Sequence, residues 1–229
     1  MKPKIHFVIE PNGDARLHTL ADRHLGAFHV SISERLPENP WDYRLIVLWN
    51  LCRLIRHLPS ARNVVVFHSS DLPLGRGWAP IYNALANNQS EHVITAILAD
   101  KEVDAGEIIA KARFQMQPCF VSDTLREVDE EICILMARAI VERYADQQIK
   151  STPQHGESSY YRRRTPKDNE LDIQRPLVDL IPHMRGCSSS HPAHFYWQGC
   201  KYRIELMPED MPAFPSDLKI EFAIPNDSS

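Results

Sequence analysis

Asn63-Val-Val-Val-Phe-His68-Ser-Ser-Asp-Leu-Pro-Leu-Gly-Arg-Gly-Trp-Ala-Pro80 is a β-branched apolar run that ends in a histidine and passes at once into a loop dense in Ser, Asp, Gly and Pro. The run predicts a buried strand, and the composition after it predicts an ordered loop. Upstream, Tyr43 to Trp49 is a second apolar run of strand length. Leu51, Leu54, Ile55 and Leu58 follow at helical spacing and stop before Pro59. Strand, helix and strand in so short a span predict a βαβ unit in a parallel sheet.

The same alternation extends in both directions. Lys4 to Ile9 reads as a first strand, with Gly13 and Asp14 at a turn and a helical face at Leu17, Leu20 and Leu25. No GxGxxG follows that strand, so a classical dinucleotide fingerprint is absent. Beyond Pro80, Ile81 to Ala86 reads as helix, and His92–Leu98 and Glu107–Gln117 read as strands. The clearest helix starts near Ser122, with Leu125, Val128, Ile132, Leu135, Met136, Ala139 and Ile140 repeating at three and four. Ser122, Asp123 and Thr124 are its N-cap candidates, and Thr124-x-x-Glu127 fits a capping box. Residues 147–176 are polar and hold Pro153, Pro166 and Pro176, which predicts a loop wrapped over the domain. Leu177–Met184 has helical spacing, Phe195–Leu206 reads as a hairpin turning at Gln198-Gly199, and Lys219–Ile224 alternates like a strand. The division expected is an α/β domain over 1–146, shortened at its N-terminal end, and an extension over 147–229. The tail from Pro208 onward carries no functional reading.

Composition removes several classes. With 26 Lys+Arg against 30 Asp+Glu the net charge is −4, which argues against a dedicated nucleic-acid binder. A hydrophobic content of 43% is too high for a disordered chain, and no apolar run has the length of a membrane span. The N-terminus lacks the apolar core and cleavage site of a secretory signal. The five cysteines are scattered without a CxxC pair, so reduced thiols and a cytoplasmic location are expected. The eleven histidines show no HExxH or similar spacing, and no metal site is expected.

Two residues carry the candidate chemistry. His68 ends its strand, and Asp104 lies in Leu98-Ala-Asp-Lys-Glu-Val-Asp104-Ala-Gly-Glu-Ile108, after the next strand. In parallel α/β sheets ligands bind beyond the carboxyl ends of strands, where these two side chains would meet. A carboxylate fixes the tautomer of a neighbouring imidazole, a protonated imidazole stabilises a developing oxyanion, and the carboxylate helps to remove an amine proton. The plainer alternative is a structural histidine at a strand end and a turn aspartate.

At this point a resemblance enters. His68 to Pro80 resembles the N-x-H-x-S-x-L-P…G…P motif of the formyltetrahydrofolate-dependent formyltransferases, and Asp100 to Ile109 resembles that family's second motif. Tyr161-Arg-Arg-Arg-Thr-Pro-Lys-Asp-Asn-Glu-Leu-Asp172 looks like the R-R-x-P-x-D-x-x-(I/L)-D stretch of sugar N-formyltransferases, and Pro192 to Gly199 like their P-A-x-F…G hairpin. The four stretches stand in the family's order within residues 43–206, and the likeness is weakest over 1–42. The loop SDLPLGRGWAP is most similar to the bacterial amino-sugar formyltransferases of surface-glycan and pseudaminic-type pathways.

The resemblance implies a Rossmann-like formyltransferase fold: α/β, a mostly parallel sheet with flanking helices and a C-terminal β-hairpin extension. It implies transfer of a formyl group from N10-formyltetrahydrofolate to the amine of an amino sugar, nucleotide-linked, with no metal. His68 and Asp104 match the family's catalytic histidine and aspartate. The family's asparagine falls at Val66, which cannot donate to an oxyanion; Asn50, at the end of the neighbouring strand, is the candidate substitute. Folate is expected against Leu48, Trp49, Leu98, Lys101 and Val103. The amine substrate is expected near Ser70, Asp71, Arg76, Gly77 and Trp78, with Arg76 on a phosphate and Trp78 on a ring. Core packing is the equal alternative for Trp78. Arg162 to Arg164 read as a diphosphate contact or, preferred, a solvated basic turn, and Phe195 to Trp197 read as hairpin core. Partners are a small molecule and no nucleic acid or membrane, and the hairpin offers a surface for a homodimer. Other readings kept open are a degenerate, non-catalytic folate or nucleotide-sugar binder, and a formyltransferase for another small amine. Among such amines, the sugar-type motifs argue against glycinamide ribonucleotide, and the lack of a separate basic C-terminal domain argues against initiator methionyl-tRNA.

Overall fold

The computed structural model describes residues 2–11, 14–53, 55, 57–59 and 62–224. In chain order the elements are β1 (Lys4–Val8), α1 (Ala15–His24), β2 (His29–Ser33), β3 (Leu45–Leu48), β4 (Val64–His68), β5 (Arg76–Gly77), α2 (Pro80–Ala86), β6 (Glu91–Leu98), β7 (Ile108–Gln115), α3 (Ser122–Arg143), β8 (Tyr160–Tyr161), α4 (Leu177–Gly186), β9 (Ala193–Trp197), β10 (Cys200–Ile204) and β11 (Lys219–Phe222). Seven strands form the main sheet in the order β11-β7-β6-β4-β3-β1-β2. The class is the α/β one expected, but the sheet is mixed rather than mostly parallel. β2, β1, β3 and β4 pair in parallel, whereas β4-β6, β6-β7 and β7-β11 are antiparallel.

Alternation along the strands gives the sheet two different faces. Ile5, Phe7, Leu45, Val47, Val65, Ile94 and Ala96 belong to the main core, together with Leu17 and Leu20 of α1 and Leu125, Ile132, Met136 and Ile140 of α3. Phe7, Phe114 and Phe120 are among its largest fully buried side chains, each contributing about 2–3 kcal/mol by burial. The opposite face carries Val8, Ile46 and Val64, covered by Leu36, Leu48, Leu51, Ile55 and Leu58.

Four details differ from expectation. β2 was not foreseen: its HVSIS sequence is only half-buried and alternates weakly. A helix was expected over Leu51–Leu58; Leu54 lies outside the described residues, and the described residues of that stretch carry no helix. Leu51, Ile55 and Leu58 still pack against the sheet. Asn50 enters the segment at φ +48, and so short a stretch gains little from helix propagation. At the start of α3 the cap is shifted: Val121 is the N-cap residue, and its N–H donates to Thr124 Oγ1 at 3.1 Å. Finally, the end of the C-terminal extension returns to the main sheet, where β11 lies against β7. The hairpin β9–β10 forms as expected, with Gln198 and Gly199 both at positive φ, the geometry a two-residue turn requires. Among the described residues no helix is long and apolar enough to cross a membrane.

Candidate active site

His68 closes β4 and is buried at 7% exposure. Its Nε2 lies 2.8 Å from the Gly75 carbonyl oxygen, which can only accept, so Nε2 carries a proton. Nδ1 then faces Asp104, 3.5 Å from Oδ1. Asp104 Oδ2 accepts the Gly77 N–H at 2.8 Å. The loop after β4 thus grips both members of the pair, through one carbonyl and one amide. Gly77 sits at φ +93, and a Cβ there would meet the Tyr161 carbonyl oxygen at 2.5 Å. That close approach comes from the two-residue ribbon β5–β8, which pairs Arg76 with Tyr160 and Gly77 with Tyr161.

The route by which Asp104 arrives differs from the expected one. β6 is antiparallel to β4, and the Ala99 N–H donates to the Val64 carbonyl, so β6 leaves the sheet beside the start of β4. The 99–107 loop must double back along about 13 Å of strand, four residues at about 3.3 Å each, to reach His68. Gly106 makes this return possible, because a Cβ there would fall 1.7 Å from the Leu98 carbonyl oxygen.

Val66, on the same strand face as His68, packs with Leu72, Ile97, Ile108 and Ala223. Asn50 does not take the substitute-donor role here: its Nδ2 donates to Glu130 Oε1 on α3 at 3.3 Å. Burial and the nearby Asp14 raise the Glu130 carboxyl to about 7, against the lowering effect of Arg16. Arg16 Nε approaches Glu130 Oε2 at 3.1 Å without hydrogen-bond alignment.

Several residues expected to bind substrate are engaged with the protein. Ser70 Oγ donates to the Leu74 carbonyl and closes the turn. Asp71 is paired with Lys111 and with Arg113, the latter at 2.9 Å, because β7 brings both cations beside it. Arg76 donates to Gln154 Oε1 at 2.7 Å rather than projecting toward a phosphate. Trp78 is half-buried with the Arg163 guanidinium 4.7 Å from its ring centre. Arg164 lies over the Tyr82 ring and donates to Asn169 Oδ1. Arg162 pairs with Asp168, which it and Thr165 hold well below the ordinary carboxylate range. Arg162 and Arg163 are exposed, as a solvated basic turn requires, and each of the three arginines also has a specific partner. Sequence reading had no signal for Gln154, or for the pocket of about 340 Å³ among Tyr82, Tyr160, Tyr161, Arg164 and His183.

On the folate side, Trp49 is core: its Nε1–H donates to Asp14 Oδ2 at 2.6 Å and its ring meets Phe7 edge-on. Leu48 is half-buried, and Lys101 and Val103 are exposed on the 99–107 loop. Leu98 lines a pocket of about 200 Å³ with Leu58, Val64, Ala99, Asp100 and Gly106. The pocket wall also carries Arg62 and Glu107, so charged side chains and loop backbone line it alongside the apolar groups.

A buried histidine held between a loop carbonyl and a carboxylate lies on this mixed α/β sheet, and comparison with known proteins shows a likeness to formyltransferases. No family model matches. The chain is 30% identical over 151 residues to a methionyl-tRNA formyltransferase of Streptococcus uberis, covering 64% of this chain and 48% of that relative. It thus spans about half the length of the curated relatives it matches. It superposes on a methionyl-tRNA formyltransferase from Clostridium thermocellum with a TM-score of 0.70 at 16% identity, covering 97% of this chain and 99% of that one. A Helicobacter canadensis N-formyltransferase, solved with folinic acid and dTDP-3-aminofucose, gives 0.65 at 12% identity, covering 87% and 85%. The resemblance to the formyltetrahydrofolate-dependent formyltransferases is borne out in both fold and sequence.

Proposed function

We propose that this chain is an N-formyltransferase that moves a formyl group from N10-formyltetrahydrofolate to the amine of a nucleotide-linked amino sugar. The observation that carries the reading is the His68–Asp104 pair held by Gly75 and Gly77. The sugar-type stretches at 161–172 and 192–199 favour a sugar acceptor, and the solved relative with dTDP-3-aminofucose supports one.

In this mechanism the acceptor amine attacks the formyl carbon and the carbonyl oxygen gains charge. His68, protonated on Nδ1, donates to that oxygen. Asp104 accepts the amine proton and passes it to N10 as the bond between N10 and the formyl carbon breaks, releasing tetrahydrofolate and the formamide. Holding donor and acceptor in one cleft supplies much of the rate advantage. The apolar surroundings of Val66 favour a second reading, a degenerate binder of folate or nucleotide sugar.

The test is formyl transfer from N10-formyltetrahydrofolate to a panel of UDP- and dTDP-linked amino sugars, with His68→Ala as control. Turnover abolished by that change is the expected result. No turnover with folate still bound by calorimetry would favour the degenerate binder. Neither turnover nor folate binding would leave only the fold.

A further inference from the structure

Gln154 lies outside every motif discussed above, in the segment that follows α3, and it is half-buried. Each polar atom of its amide is engaged. Nε2 donates to the Asp104 carbonyl and to the Gly106 carbonyl, both at 2.8 Å. Oε1 accepts from Arg76 Nη2 at 2.7 Å and from Arg76 Nε at 3.3 Å. The backbone around it is fixed as well: Thr152 and Ile108 exchange both backbone hydrogen bonds, at 2.7 and 2.9 Å. The segment therefore runs beside the returning arm of the 99–107 loop.

What this amide holds is an uncommon conformation. Asp104 sits at φ +55, in the left-handed region that is uncommon for non-glycine residues and that Asp adopts more readily than most. Its carboxylate must at once accept the Gly77 N–H and face His68. Its carbonyl is directed to Gln154. Arg76, at the other end of the same amide, is the residue before Gly77. One side chain thus ties the left-handed aspartate to the ribbon that binds its carboxylate.

We propose that Gln154 is a positioning residue for Asp104: its amide couples the 99–107 loop to Arg76 and thereby sets the carboxylate against Gly77 and His68. The geometric claim stands independently of the reaction. Only its kinetic consequence rests on the formyltransferase reading.

Three consecutive amides provide the test. Arg76 N–H donates to the Ser159 carbonyl and Trp78 N–H to the Tyr161 carbonyl, so both report the β5–β8 ribbon. Gly77 N–H, between them, reports Asp104 alone. Amide exchange by NMR is measured on the native chain, on Gln154→Met, which keeps the length and loses the amide, and on Gln154→Glu, which keeps the acceptor and loses both donors. Asp104→Ala calibrates loss of the bond. The expected result is about tenfold faster exchange at Gly77 in both Gln154 variants, with Arg76 and Trp78 within about threefold of native. Unchanged protection at Gly77, or equal acceleration at all three, would overturn the proposal. If Gln154→Met does not fold, Gln154→Glu carries the measurement. Where formyl transfer is measurable, Gln154→Met should lower kcat about 10–100-fold with KM for the amine nearly unchanged. It should add nothing in an Asp104→Ala background; additive losses would count against it. Absence of native turnover would be a failure of the functional reading, and the exchange data would still decide this one.

Discussion

His68 Nδ1 and Asp104 Oδ1 stand 3.5 Å apart although β4 and β6, which lead into them, run in opposite directions. The contact is made by a loop that retraces a strand and ends in a left-handed aspartate. Asp104→Asn keeps an acceptor for Gly77 and removes the negative charge. Formyl transfer should fall by about 100-fold or more with the fold retained, as judged by kcat and circular dichroism together. Native-like turnover would remove Asp104 from proton transfer.

Val66→Asn tests the missing donor. An amide two residues before His68, on its strand face, is placed to hydrogen-bond an oxyanion, and one such donor is worth about 10²–10³ in kcat. The same amide would enter the surroundings of Leu72, Ile97 and Ile108, costing about 1–3 kcal/mol of stability. Faster turnover with a lower Tm is expected from paired kinetics and calorimetry. A lower Tm alone would mean that the oxyanion is held elsewhere.

Gly77→Ala should be damaging in two separable ways. The new Cβ falls 2.5 Å from the Tyr161 carbonyl oxygen at a φ of +93, so the ribbon must open. Destabilisation of about 1–3 kcal/mol is expected from chemical denaturation. Because the Gly77 N–H also leaves Asp104, turnover should fall further than the stability loss accounts for.

Glu130→Gln has a pH signature. The folded carboxyl titrates near 7, above its ordinary value of 4.5, so between those values the folded state holds the extra proton. Native stability therefore declines as pH rises through that window and levels off above it. The glutamine has no charge to bury and still accepts from Asn50. It should exceed the native chain by on the order of 2 kcal/mol at pH 8, and the gap should close toward pH 4.5. Urea titrations at the two pH values measure both; a constant gap would assign the effect to packing instead.

Much of this was readable in the residues because periodicity reports local burial. β4, with its Val64-Val-Val-Phe67 run, is covered on both faces of the sheet, and α3 carries apolar residues at three and four into the core. β2 was not readable because only part of it is covered, and the spacing of Leu51, Ile55 and Leu58 reports cover for the sheet, since the described residues of that stretch carry no helix. The pair His68 and Asp104 was found by motif, yet its geometry was not: strand direction depends on pairing partners far away in sequence. Arg76 and Asp71 were offered to a ligand because a sequence lists charges without their counterparts. Those counterparts, Gln154 and Lys111, come from other segments.

The last pairing in the main sheet has a consequence for how the chain is made. Lys219 pairs with Arg113 about a hundred positions earlier, and Arg143 lies over the Phe222 ring at 4.4 Å, fastening β11 in place. Until β11 has been synthesised, β7 has an open edge of unpaired amides and carbonyls. A nascent chain leaving the ribosome therefore carries the finished His68–Gly77 region on a sheet still able to pair with a stranger. Ribosome-stalled chains ending before residue 219 should accordingly self-associate, whereas chains that include β11 should not.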